Sequence, residues 1–106
     1  MTATVRGKVA GIAFSSSGNE TWWTLKIEGS IQEAGKGDVV NATTYVAWDS
    51  DKVAQRAADN PSSGERPRLG IGDEVTIKAN TLNEPRYIGV EVYWAATEIL
   101  VHRAEK

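Results

Sequence analysis

The stretch Gly72-Asp73-Glu74-Val75-Thr76-Ile77 decides the fold of this 106-residue chain. A glycine and two acids begin it, and β-branched residues then alternate with polar ones. Continued as far as Ala79, this period of two predicts a strand over residues 73–82 whose inner face carries Val75, Ile77 and Ala79. A half-buried strand needs neighbours in a sheet, so the flanking sequence decides which kind of sheet it joins.

Four further segments have strand-like patterns and are joined by turn-rich connections. We predict these strands over residues 4–14, 21–31, 39–48 and 88–101. Gly7 and Gly11 predict a bend or a bulge in the first of them. In the second, alternation assigns Trp23, Leu25 and Ile27 to the core face and Trp22, Thr24, Lys26 and Glu28 to the outer face.

A short helix is expected between the third and fourth strands. Asp49-Ser50-Asp51 supplies N-cap candidates for an Ala-rich segment over residues 52–58, and the proline-containing residues 59–70 are expected to form a loop. Three strands, a helix and two strands is the layout of an oligonucleotide/oligosaccharide-binding (OB) fold. We therefore predict an all-β chain, a five-stranded OB-fold Greek-key barrel with one short helix between strands 3 and 4. It forms one domain over residues 1–106, with a short polar tail at 102–106.

Composition argues against several classes of protein. The chain has no cysteine, which excludes disulfides and fits a reducing cytoplasm. No signal peptide is expected from the first residues, and no apolar run approaches the roughly 18 residues that a membrane helix needs. His102 is the one histidine and falls in the predicted tail, so we expect neither a histidine-dependent catalytic triad nor a histidine-rich metal site. We expect a cytoplasmic binding protein that is not an enzyme and has no metal or cofactor.

Parts of this sequence resemble the bacterial-type single-stranded-DNA-binding proteins, which have an OB fold. The run Val5-Arg6-Gly7-Lys8-Val9 is similar to the family's first strand, and Val46-Ala47-Trp48-Asp49 followed by Lys52-Val53-Ala54 is similar to its third strand and helix. Gly72 to Ile77 resembles the fourth strand and Thr97-Glu98-Ile99-Leu100 the last. The resemblance implies binding of single-stranded DNA with little sequence preference, base stacking at Trp48, and assembly as a dimer or tetramer.

The chain also departs from the family pattern. Ala79 stands where the fourth strand usually has glycine, and Ile31 and Ala42 stand where further stacking aromatics are common. The long tail that recruits replication proteins in the family is absent from this sequence. These departures are what we would expect of a divergent family member from a phage or mobile element, or of the family's ordered domain without its tail.

The candidate binding residues are aromatic and cationic side chains. On the predicted outer face, Trp22 is a candidate for stacking on bases, for burial between subunits, or for core packing. Tyr87 and Arg86 fall at the last hairpin, where they would clasp a bound strand or form a solvated tip. The basic residues on the polar sides of strands are either phosphate contacts or an ordinary solvated sheet face; they are Arg6, Lys8, Lys26 and Lys78.

Two functional hypotheses follow from these residues. The first is single-stranded DNA binding in replication, recombination or repair, with RNA as a possible ligand and a homo-oligomer as the assembly. Net charge is −2, which limits binding by bulk electrostatics and leaves more to stacking. The alternative is an OB-like protein–protein or assembly module of a phage or mobile element, with Trp22 and Trp94 between subunits. Of the adjacent Tyr93 and Trp94, one is expected in the core.

Overall fold

The computed structural model describes residues 2–17, 20–35, 37–49, 53–57, 69–87 and 91–102. These residues form six strands, and no helix occurs in any of these ranges. The strands are β1 (Thr2–Ser17), β2 (Glu20–Glu33), β3 (Val39–Trp48), β4 (Ala54–Ala57), β5 (Glu74–Tyr87) and β6 (Glu91–His102).

The strands form a closed barrel. The sheet has the order β3-β2-β1-β5-β6-β4, and a parallel pairing of β3 with β6 closes five of the strands on themselves. All other pairs of barrel strands are antiparallel. This mixed five-stranded barrel has the connectivity of an OB fold, with β5 and β6 as its fourth and fifth strands. The predicted all-β, OB-like Greek-key barrel is confirmed.

The predicted helix is wrong where the structure describes it. Residues Ala54–Ala57 form β4, which pairs in parallel with β6 from Glu98 to Val101. Burial there has a period of two, because Val53 and Gln55 are buried and Arg56 is exposed. A segment this short is not a stable helix by itself, and the edge of β6 offers it a full set of backbone partners. Residues 50–52 and 58–68 of the predicted helix and loop lie outside the described residues.

The barrel core comes from alternate residues of every long strand. Val75, Ile77 and Ala79 all face inward, as their spacing predicts. A register shift between Val9 and Gly11 is the predicted bulge in β1, and it returns Ile12 and Phe14 to the inner face opposite β2. The largest fully enclosed side chains of this core include Val5, Val9, Leu25, Ile27, Val46, Val75, Ile77, Ile99 and Val101.

Two glycines bring β1 and β2 unusually close. Gly7 and Gly29 are direct partners in the antiparallel register. A Cβ built on Gly7 would meet the backbone carbonyl of Glu28 and lie 2.8 Å from the Cα of Gly29. A Cβ on Gly29 would lie 2.6 Å from the Cα of Gly7. Only glycine fits at either position, so this crossing fixes how tightly β1 curves into the barrel.

His102 belongs to the sheet. We expected it in the polar tail, but it is the last residue of β6 and pairs with Glu74 of β5. Its Nε2 lies 2.8 Å from Oγ1 of Thr76, within hydrogen-bond distance. The imidazole is therefore held against the barrel wall, and only residues 103–106 of the expected tail lie outside the described part.

Candidate nucleic-acid interface

Trp22 lies on the outer face of the barrel, but it is not exposed. Its neighbours along β2, Trp23 and Leu25, pack in the barrel core, so alternation points the Trp22 indole outward. Only 8% of the residue is accessible, and it forms a second apolar cluster with Ala47 and Val92. Of the three environments considered for Trp22, packing within the chain is the one observed, and the ring is not exposed for stacking on a base.

The last hairpin covers that ring. Leu82 of β5 and Val92 of β6 flank the hairpin tip, and both pack in the Trp22 cluster together with Tyr45 and Ala95. The floor beneath them is made of small residues, because Thr24 of β2 pairs with Ala47 of β3, and Ala47 with Ala95 of β6. Burial of Trp22 thus results from contacts between residues about 60 to 70 positions apart in the sequence, which local alternation does not show.

Trp48 is enclosed in the barrel core. It is 9% exposed, it packs with Val53, and its ring centroid lies 6.4 Å from that of Trp23. Its indole Nε1 is buried and has no hydrogen-bond partner among the described residues. The stacking role that the family resemblance implied for Trp48 therefore does not fit this geometry, because the residue is buried in the barrel core.

A row of aromatic rings runs from Trp48 to the surface. Cross-strand register places Phe14 beside Trp23 and Trp23 beside Trp48 on the inner face. Trp23 was expected in the core and is partly buried against it. Phe14 meets Trp23 edge-on at a centroid distance of 4.9 Å and is 55% exposed. The exposed end of this row is therefore Phe14, a residue that sequence analysis did not single out.

The structure brings the predicted cations together on one wall but interleaves them with acids. Arg6 and Lys8 are exposed on β1, and Lys26 follows on β2. In the register, Lys8 stands between Glu28 on one side and Glu74 on the other. This wall is consequently a mixed-charge surface and not a continuous basic stripe.

Two of the cations also approach carboxylates closely. Lys26 Nζ lies 4.0 Å from Glu28 Oε1, and Lys78 Nζ lies 3.9 Å from Glu98 Oε2. Both pairs are solvent-accessible, so each contributes little to stability and each lysine can exchange its partner for a phosphate at small cost. Lys78 is on β5, on the opposite side of β1 from Lys26.

The hairpin candidates and the Tyr93–Trp94 pair are placed in part. Arg86 and Tyr87 are in the β5 backbone and pair with Val92 and Glu91, but their side chains lie outside the described part. Trp94 packs against the barrel core and Tyr93 is exposed, which answers the question that the sequence left open.

Tyr45 is the residue that sequence reasoning missed. It lies on β3 directly opposite Lys26, it is partly exposed, and it borders the Trp22 cluster. Alternation contains the signal, because Tyr45 is one residue from the inward-facing Val46 and must point outward. Tyr45 and Lys26 therefore place an aromatic ring and a cation side by side on the outer face of β2 and β3.

Nothing in the described residues points to a metal site or a membrane span. No group of three or more histidine, aspartate or glutamate side chains there is arranged to hold a metal ion. Within the same ranges, no helix has the length and apolarity needed to cross a bilayer. Comparison with known proteins returned no match, whether to family models, to curated proteins or to solved structures.

Proposed function

We propose that this chain binds single-stranded DNA with little sequence preference, as its resemblance to the single-stranded-DNA-binding OB-fold family implies. The observation that carries the proposal is the Tyr45–Lys26 pair on the outer face of β2 and β3. The barrel has OB-like connectivity, and OB folds bind oligonucleotides on this face. A partly exposed ring beside a cation is the basic unit of sequence-tolerant binding, since every base has a π-face and every nucleotide a phosphate.

In this proposal one base stacks on Tyr45 while Lys26 contacts the adjacent phosphate. Arg6 and Lys8 lie on the neighbouring strand and supply two further cations on the same mixed-charge wall. Lys78 lies on the other side of β1 and is farther from Tyr45. Arg86 and Tyr87 belong to the same hairpin as Leu82 and Val92, and we propose them as further contacts to the bound strand. Trp22 and Trp48 act as packing residues and do not stack on bases.

Tyr45 provides the most direct test. Tyr45→Ala should weaken binding of a fluorescently labelled oligo-dT by about 1–3 kcal/mol, which corresponds to roughly 5- to 150-fold in Kd. Tyr45→Phe keeps the ring and should bind within about twofold of the parent chain. Fluorescence anisotropy measures both, and circular dichroism checks that each variant is folded. No binding by the parent chain at micromolar concentration in low salt would refute the proposal.

Salt dependence gives a second readout of the same site. Each phosphate contact on a single strand contributes about 0.7 to the slope of log K against log salt. Lys26→Ala should therefore reduce the magnitude of that slope by about 0.7. Asn80→Ala changes an exposed, uncharged residue of β5 and should leave the slope unchanged. Parallel titrations with oligo-rU and with duplex DNA determine whether RNA is also bound and whether a single strand is required.

An assembly module is the competing function, and the mixed-charge wall favours it. Lys8 between Glu28 and Glu74 lowers the positive potential that nucleic acid requires. The buried Trp22 leaves one fewer ring for stacking. A parent chain that is oligomeric and binds neither DNA nor RNA in the titrations would favour this second function. For either function we propose a cytoplasmic location, because a chain without cysteine needs no oxidising compartment.

A further inference from the structure

Among the residues that the structure describes, no strand pairs with the outer edge of the first half of β3. On one side β3 pairs with β2 along nearly its whole length, from Val39 to Trp48. On the other side its only partners among the described residues are Trp94 and Ala95 of β6, opposite Val46 and Ala47. The start of the strand is open to solvent, with Val39 60% and Val40 55% exposed, and Asn41 and Thr43 are exposed as well.

Backbone hydrogen bonds elsewhere in the sheet show which groups point toward this edge. The N–H of Val9 donates to the carbonyl of Asp73, and the N–H of Gly72 donates to the carbonyl of Val9. The polar backbone groups of Val9 therefore face away from β2. Successive residues of a strand alternate in this respect, so the backbone groups of Lys8 face β2 and its partner there.

The alternation carries across β2 to β3. Lys8 pairs with Glu28, so the backbone groups of Gly29 face β3 and meet those of its partner Ala42. The next residue on each side of Ala42 faces the opposite way. Asn41 and Thr43, and with them Val39, consequently direct their N–H and C=O groups to this edge. Among the described residues no strand occupies that side of them.

This edge lacks the features that usually block strand addition. Natural edge strands carry charges, prolines or bulges that prevent pairing with another chain. Residues 39–48 contain no charged residue and no proline, and three of the first five are β-branched. The register of β3 with β2 is unbroken. With a net charge of −2, two copies of the chain meet with little electrostatic repulsion.

We propose that a second copy of this chain pairs antiparallel with the β3 edge, about a two-fold axis that lies between the two strands at the level of Asn41. Such an axis places Asn41 opposite Asn41 of the second copy and Val39 opposite Thr43 of the second copy. All three residues direct their backbone groups outward, so every facing pair is hydrogen-bonded. Three pairs that exchange two bonds each give about six backbone hydrogen bonds.

Side chains also match in this arrangement. The axis is perpendicular to the sheet, so the outer face of one copy continues into the outer face of the other. Val39 then packs beside Thr43 of the second copy, a β-branched pair of the kind that stabilises sheets. On the other face Val40 packs beside Ala42 of the second copy, which removes exposed apolar surface from water. If the axis lay at the level of Thr43 instead, Tyr45 would have to pair with Asn41 of the second copy. The backbone groups of Tyr45 face β6, next to the positions where β3 already pairs with that strand.

A cysteine cross-link tests the axis directly, because the natural chain has no cysteine. Facing residues of a hydrogen-bonded antiparallel pair have Cα atoms about 5.5 Å apart, within the range that a disulfide spans. Asn41→Cys should therefore give a covalent dimer under mild oxidation at low micromolar protein. Asn80→Cys is the matched control, exposed on β5 where both edges are paired, and should remain monomeric on a denaturing gel. Equal cross-linking of the two variants, or none, would overturn the proposal.

Sedimentation equilibrium of variants without cysteine supplies an independent test. Asn41→Asp places two carboxylates against each other on the axis, and the dimer mass of the parent chain should fall to that of a monomer. Asn80→Asp makes the same chemical change away from the edge and should keep the parent mass. A parent chain that stays monomeric at about 100 μM, a concentration far above a micromolar Kd, contradicts the pairing. A dimer unaffected by Asn41→Asp contradicts it as well.

Discussion

Replacement of Gly7 by alanine should destabilise the barrel, although alanine is ordinarily the better residue in a strand. The single added methyl would meet the carbonyl of Glu28 and lie 2.8 Å from the Cα of Gly29. These are backbone atoms of a paired strand, so they move only if β1 and β2 separate locally. On its other side Gly7 pairs with Val75 of β5, which prevents β1 from shifting away from β2.

Two opposing terms set the magnitude. Removal of glycine's extra freedom in the unfolded chain stabilises by about 0.4–1 kcal/mol. Steric overlap with a packed interior costs about 1–3 kcal/mol, and backbone neighbours place this site at the upper end. We therefore expect Gly7→Ala to lower the free energy of unfolding by about 2 kcal/mol, the difference of these terms. For a domain of this size that corresponds to a Tm lower by about 8–16 °C.

Gly11→Ala is the matched control on the same strand. A Cβ there would lie 3.6 Å from the Cβ of Lys26, an ordinary van der Waals contact. Its stability should rise by up to about 1 kcal/mol, from the entropy term alone. Urea denaturation followed by circular dichroism measures both variants, with linear extrapolation to water. A Gly7→Ala variant as stable as the parent chain, or a Gly11→Ala variant equally weakened, would refute the reasoning.

Two further predictions concern the surface beneath the last hairpin. Trp22→Ala should lower the free energy of unfolding by about 3–5 kcal/mol because the ring is packed. Trp22→Phe should stay folded and keep its affinity for oligo-dT. A loss of affinity in a folded Trp22→Phe variant would show that Trp22 stacks on a base after all. Thr24→Val should stabilise by about 1 kcal/mol, since the buried Oγ1 of Thr24 has no hydrogen-bond partner among the described residues. Thr24→Ser keeps the hydroxyl and loses a methyl, so a urea midpoint for Thr24→Val at or below that of Thr24→Ser would contradict this explanation.

Alternation predicted most of the barrel because it is a local property of the chain. Val75, Ile77, Leu25 and Ile27 are all fully buried, as their spacing requires. The bulge near Gly11 was also predictable, since glycine within a strand pattern marks such sites. Residues Ala54–Ala57 were predicted as helix because alanine favours one, whereas the edge of β6 with which they pair is a tertiary feature that composition does not reveal.

The candidate site was less predictable because it depends on what distant strands place beside each residue. Alternation assigned Trp22 to the correct face, but Leu82 and Val92 of the last hairpin determine its burial. The cations were assigned to the outer face correctly, yet the acids around Lys8 follow from the register of two strand pairs. Tyr45 could have been found from its position next to Val46, with Lys26 as its partner once the register of β2 and β3 was known.

The barrel is closed by a short clasp. Val46 with Trp94 and Ala47 with Ala95 are the only paired positions between β3 and β6 in the described ranges, whereas β2 and β3 pair without a break from Trp23 to Gln32. Local unfolding should begin where the fewest backbone hydrogen bonds must break. Amide protons at this clasp should therefore exchange with deuterated water faster than those between β2 and β3. When the clasp parts, the sheet unrolls and exposes its apolar lining as one continuous strip. The rate of that event, and not the packing of the core, would then limit how long this barrel resists a protease.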